Sequence, residues 1–150
     1  MTTLLVAIDN SDLSRKVVSL ATEQARALNA QIMVLCCIDP AYATCGEPLD
    51  ITAGEDPADF GAALDEQNTA ELVIRHALAQ LLGAGIEARG RVVAGESAET
   101  IVAQAAALEA KMIIMGRRHL SPFNRLLKGS VSAAVIERAH CPVLVDVRAQ

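Results

Sequence analysis

The stretch Met112-Ile-Ile-Met-Gly116-Arg-Arg-His119-Leu-Ser-Pro-Phe-Asn-Arg-Leu-Leu-Lys128-Gly129-Ser130, followed by Val131-Ser-Ala-Ala-Val-Ile-Glu-Arg-Ala139, decides the fold of this chain. Its apolar opening, Met112 to Met115, reads as a buried strand. Its close, Ser130 to Ala139, reads as a helix. Between them lies a loop with a glycine at each end. A strand, a glycine-bounded loop and a helix opening on Gly-Ser aim backbone N–H groups at an anion such as a phosphate. Arg117, Arg118, Arg125 and Lys128 in the same loop could answer its charge, or form a solvated basic surface.

The same alternation runs outward to both ends of the chain. Thr3 to Ile8 is a short apolar strand. Ser11-Asp12-Leu13-Ser14 offers capping residues for a helix carried by Val17, Ala21, Ala25 and Leu28, with Asn29 as its stop. Gln31 to Ile38 is a second strand, ended by Asp39-Pro40. A helix returns near Leu64 and runs to Leu82, with Ile74, Leu78 and Leu81 on one face, and Gly83-Ala84-Gly85 stops it. Ile86 to Ala94 is a third strand; Arg89 and Arg91 suit it to a sheet edge. Ser97 reads as the N-cap of a further helix through Ile101, Ala105 and Leu108, with Glu99 in its first turn. Cys141-Pro142 leads into a last strand, Val143 to Val147. Five strands alternating with four helices predict βαβ units, a parallel sheet and helices on both of its faces, in one domain over 1–150. From Pro40 to Ala63 no period survives among prolines, glycines and acidic residues, which predicts a long loop.

Composition narrows the function. The chain has 150 residues, 52% hydrophobic but only 2% aromatic, so Val, Ile, Leu, Ala and Met must build the core. The formal net charge is −5, which lacks the basic footprint of nucleic-acid binding, and one Tyr, two Phe and no Trp leave no stacking platform for single strands. No apolar run approaches the roughly 18 residues of a membrane span. The N-terminus meets Asp9 too early for a signal peptide, so a cytoplasmic location is expected. Cys36, Cys37, Cys45 and Cys141 form no metal-ligand spacing. They are expected as reduced thiols, with Cys36 and Cys37 on opposite sides of their strand and Cys45, in a polar loop, as the most reactive.

In open sheets of this kind ligands sit beyond the carboxyl ends of the strands, where the strand order reverses. The ends of the first and fourth strands would flank that crevice. These are the places where polar residues and glycines gather, Asp9-Asn10-Ser11 and Gly116 to Ser130. Asp9 could accept from a ribose hydroxyl or an adenine amino group, or cap the first helix. Neither the P-loop pattern nor the dinucleotide glycine fingerprint is present, because Lys128 precedes Gly129 and no Gly-x-Gly-x-x-Gly follows the first strand.

On Val6-Ala-Ile-Asp9-x-Ser11-x-x-Ser14, Gly95, Ile113-Ile-Met-Gly116, Gly129-Ser130-Val131-Ser132 and Cys141-Pro-Val-Leu-Val145, the chain resembles the universal stress protein family over essentially its whole length. The resemblance implies a five-stranded parallel α/β fold, strand order 3-2-1-4-5, and a homodimer through the last strand, Val143 to Val147. It implies a stress-response regulatory protein that binds ATP, or AMP or ADP, with Mg as an accompanying ion. The alternative is a nucleotide-free dimeric protein of the same fold that binds protein partners. The nucleotide-binding branch carries Gly-x2-Gly-x9-Gly-Ser/Thr, and the spacing is intact here as Gly116, position 119, Gly129 and Ser130. Ala7, Asp9, Cys37, Met115, Gly116, His119, Gly129, Ser130 and Val131 are the implied nucleotide residues. Asp9 and the strand end near Cys37 would meet adenine and ribose; Gly116, Gly129, Ser130 and Val131 would meet phosphates. Position 119 is His where the branch has Gly. Its ring either takes the space meant for phosphate or swings out and donates to it. No positioned general base is recognisable, and at most slow ATP hydrolysis is expected. His119 is the one acid/base candidate near the loop, while His76 and His140 read as structural.

Overall fold

In the computed structural model, residues 1–9, 13–39, 48–52, 66–117 and 131–148 are described. Strand β1 (Thr3–Ala7) is continuously apolar after Thr3, and its first four residues are buried. A run without polar alternation belongs in the middle of a parallel sheet, covered on both faces. Indeed β1 pairs in parallel with β2 (Gln31–Ile38) on one side and with β5 (Met112–Gly116) on the other. Strand β4 (Ala88–Ala94) continues the sheet beyond β2, and β6 (Val143–Asp146) continues it beyond β5. These five parallel strands stand in the expected order.

One further strand was not expected. Within the stretch read as patternless, β3 (Leu49–Thr52) pairs antiparallel with β4, giving the order β3-β4-β2-β1-β5-β6 among the described residues. Its alternation lasts four residues, with Ile51 buried between exposed Asp50 and Thr52. That is too short to rise above its surroundings in sequence. The correction extends to β4, which is covered rather than an edge. Its Arg91 is paired across the ladder with Asp50, Nε to Oδ1 at 2.6 Å, and donates from Nη1 to Gln104 at 2.8 Å.

Successive residues of the central strands point to opposite faces. Leu4, Val6, Ile32, Val34 and Ile114 face α1 (Ser14–Leu28) and α2 (Glu66–Gly83). Leu5, Met33, Leu35, Ile113 and Met115 face α3 (Ser97–Ala107) and α4 (Val131–Arg138). Cys36 joins the first cluster and Cys37 the second, as the alternation requires. Helix α2 buries Ala70, Ile74, Ala77, Leu78 and Leu81, the stripe expected of it. Helix α1 buries Val17, Val18, Ala21, Thr22 and Ala25, and ends at Asn29 in the left-handed conformation, φ 52°. The Ala30 N–H then returns to the Ala25 carbonyl at 2.9 Å, which closes the last turn. The start of α1 differs from expectation. Leu13 occupies the N-cap without a side-chain hydrogen bond, and Ser14 already belongs to the helix.

Candidate functional site

The chain leaves β1 for β2 and β4 on one side, then returns to lay β5 against β1 on the other. Strand order therefore reverses at β1, and the carboxyl ends of β1 and β5 lie side by side. The register sets Ala7 against Met115, with Asp9 two residues beyond Ala7 and Gly116 one beyond Met115. Ala7 and Gly116 are half-buried and Met115 is buried. On the other flank Ala7 pairs with Leu35, so Cys37 lies two residues further toward the same carboxyl end. The Cys37 thiol is half-buried and sits 4.0 Å from the Ser97 carbonyl.

Asp9 is tied to the start of α1. The Ser14 hydroxyl donates to the Asp9 main-chain oxygen at 2.7 Å, while the carboxylate Oδ1 lies 3.5 Å from that hydroxyl. Ser14 thus holds the turn after β1 through the Asp9 main chain, with the carboxylate as a longer second acceptor. Val131 opens α4 and is half-buried against the α3–α4 side of the sheet. Ala7, Asp9, Met115 and Gly116 are brought together, with Cys37 at the neighbouring strand end. His119, Gly129 and Ser130 lie outside the described residues, as do Ser11 and Cys45.

The N-terminus of α3 also opens at this end of the sheet, after β4. Its N-cap is Glu96, not Ser97: the carboxylate accepts from the Ala98 N–H at 3.1 Å and the Glu99 N–H at 2.7 Å. A glutamate is long enough to fold back over its own helix end, a geometry that residue preference alone does not predict. The first free N–H groups of α3 are thereby committed to the chain's own carboxylate and not to an external anion. Among the described residues no cluster of His, Cys, Asp and Glu could hold a metal ion. His76 and His140 are both exposed.

Beside Gly116 the register places Asp146, whose side chain is only 2% exposed. Its carboxylate accepts three bonds from Arg148: the main-chain N–H at 3.0 Å, Nε at 2.9 Å and Nη2 at 3.0 Å. This clasp turns the chain after Asp146, so β6 stops one residue short of the expected Val147, which is 56% exposed. Hydrogen bonds from Arg148, opposed by burial, hold the Asp146 carboxyl below its ordinary range. A carboxyl depressed in the folded state contributes stability above its unfolded titration range. That contribution disappears as pH falls through the lowered value. Asp146→Asn is therefore expected to lower the urea midpoint at neutral pH. The gap to the parent should narrow below about pH 4; a gap constant with pH would refute the assignment.

Four similarities bear on this arrangement. The model of the universal stress protein family matches residues 1–148. A universal stress protein of Thermus aquaticus is 33% identical over 144 residues, covering 95% of this chain and 96% of the relative. Among solved structures, a universal stress protein in complex with cAMP superposes with a TM-score of 0.69 at 25% identity, covering 97% of this chain and 96% of that one. One from Archaeoglobus fulgidus in complex with dAMP gives 0.64 at 21% identity, covering 97% of each chain. Sequence likeness over nearly the whole length thus coincides with the sheet order and the β1–β5 crevice, and the chain belongs to the universal stress protein family.

Proposed function

We propose that this protein is a stress-response regulator that binds an adenine nucleotide, ATP or AMP, in the crevice between the carboxyl ends of β1 and β5. The observation that carries the reading is the register of Ala7 against Met115, which sets Asp9 and Gly116 on the two lips of the switch point. The adenine nucleotides held by two related structures, cAMP and dAMP, support the ligand class. Asp9 would accept from ribose or the adenine amino group, beside Cys37 at the neighbouring strand end. The Gly116 backbone, with Gly129, Ser130, Val131 and the His119 N–H, would receive the phosphates, accompanied by Mg. A nucleotide held there biases a conformation instead of being rapidly consumed. The domain spans the chain, acts in the cytoplasm, and pairs as a homodimer through β6.

Calorimetric titration with ATP and with AMP tests this. Asp9→Ala is expected to weaken binding about tenfold, the effect of losing a charged hydrogen bond of about 1.5 kcal/mol. Its fold should persist, because Ser14 holds the Asp9 main chain. Absence of heat and of any thermal shift at millimolar nucleotide would sink the proposal. His119 favours one further reading, a nucleotide-free interaction protein in which the imidazole fills the phosphate space. His119→Gly then creates nucleotide binding where the parent has none.

A further inference from the structure

The two edges of the sheet are finished differently. At one edge, β6 has no further strand beyond it among the described residues. Its Val143, Leu144 and Val145 are half-buried, and exposed Ile136 on α4 and Val147 belong to the same region. At the other edge, the seven-residue β4 is covered by the four-residue β3. Among the described residues β3 is held by one buried side chain, Ile51, and by the Asp50–Arg91 pair, whose Asp50 is 68% exposed. An ion pair that open to water contributes little. A strand this short adds few ladder bonds. The cover spans Arg89 to Val92, the middle of β4, and is weak in attachment among the described residues.

Geometry also says what the cover prevents. A sheet whose second edge is only a four-residue strand, β3, offers there too few ladder groups to hold a second copy, so pairing about a two-fold axis at β6 closes the assembly. A sheet with two open edges can pair at both and propagate. Strand β4 is suited to such pairing once bare: its Val92 and Ala88 are buried along one face, Gly90 between them adds no bulk, and its extended length exceeds that of β6.

We propose that β3 is a strap that withholds the β4 edge from a second copy of this chain, so that self-association is confined to the β6 edge. The strap is reinforced from the neighbouring layer, because the Arg91 guanidinium that holds Asp50 also donates to Gln104 of α3. Release of β3 frees that guanidinium and bares the ladder groups of β4 together. The inference rests on the proposed pairing through β6 and is independent of nucleotide binding.

The test is to release the strap in the full chain and follow mass and protection together. Ile51→Lys removes the buried anchor; Asp50→Arg sets like charges opposite each other and is the milder variant if the first fails to fold. Light scattering after size exclusion is expected to give the parent one mass across concentrations. The variants are expected to form species that grow with concentration. Hydrogen exchange at Leu49–Thr52 should rise about tenfold or more in the variants. Amides of Arg89–Val92 should regain protection as the species grow, which marks pairing at β4. The proposal is overturned if exchange rises without any growth in mass. Growth that leaves the β4 amides unprotected would also overturn it, as would two folded variants that leave β3 exchange unchanged.

Discussion

Gly90→Val is expected to destabilise the protein by about 1–3 kcal/mol, the range for forcing extra carbon into a packed interior. Gly90 lies in the middle of β4, on the face covered by α2. A Cβ at this position would overlap the Ile74 Cγ2 methyl and stand 3.3 Å from Leu78 Cδ1. Neither neighbour can step aside easily, since Ile74 and Leu78 are 0% and 1% exposed. Across the ladder Gly90 faces Ile51, so the pressure reaches the strap as well. The absent side chain at position 90 is what lets α2 settle close to the sheet. A double-mutant cycle makes the cause visible. Ile74→Ala alone is expected to cost about 2–5 kcal/mol. Combined with Gly90→Val it should cost clearly less than the sum, because the cavity left by one change admits the methyls of the other. Additive urea midpoints would show that the two residues do not compete for one space.

Leu5→Ala is expected to have a comparable or larger effect, about 2–5 kcal/mol. At roughly 2–4 °C per kcal/mol for a chain of this size, the melting temperature should fall by several degrees or more. Leu5 is 0% exposed on the central strand and faces the α3–α4 layer. The buried cluster on that side sets Ala98, Ile101, Ala105, Ala110 and Val135 against the strand residues Met33, Leu35, Ile113 and Met115. No aromatic ring is among its buried residues to reach across the gap, so the void persists. A drop of under about 1 kcal/mol would mean that α3 moves in to fill it.

These two positions also show where sequence reading succeeds. The apolar runs of β1, β2 and β5, the helical stripe at Ile74, Leu78 and Leu81, and the stop at Asn29 are local periodicities, and each appears where the residues place it. The crevice follows from the same periodicities, because the order of βαβ units alone brings Ala7 and Asp9 beside Met115 and Gly116. What was not legible depends on a distant strand partner in one case and on specific side-chain geometry in two others. β3 is stable only against β4, through Ile51 and the Asp50–Arg91 pair. Glu96 displaces Ser97 as a cap because its longer side chain can reach two N–H groups at once. The last strand ends at Asp146 because a carboxylate and Arg148 form a clasp that β propensity does not encode. His119, Gly129 and Ser130, outside the described residues, remain positions of the proposed site on sequence grounds.

The central position of β1 sets an order of events during synthesis. β1 is made shortly before its partner β2, since Leu4 pairs with Ile32. Its second partner comes much later, since Leu4 also pairs with Met112. At ribosomal rates of about 5–20 residues per second, that interval lasts seconds. Throughout it, the most apolar strand of the protein keeps one flank of backbone donors and acceptors open to any extended chain nearby. The nascent protein therefore passes through a half-sheet whose exposed side is the future interior, a natural substrate for a holding chaperone. The proposed ligand crevice forms only after β5 closes that flank.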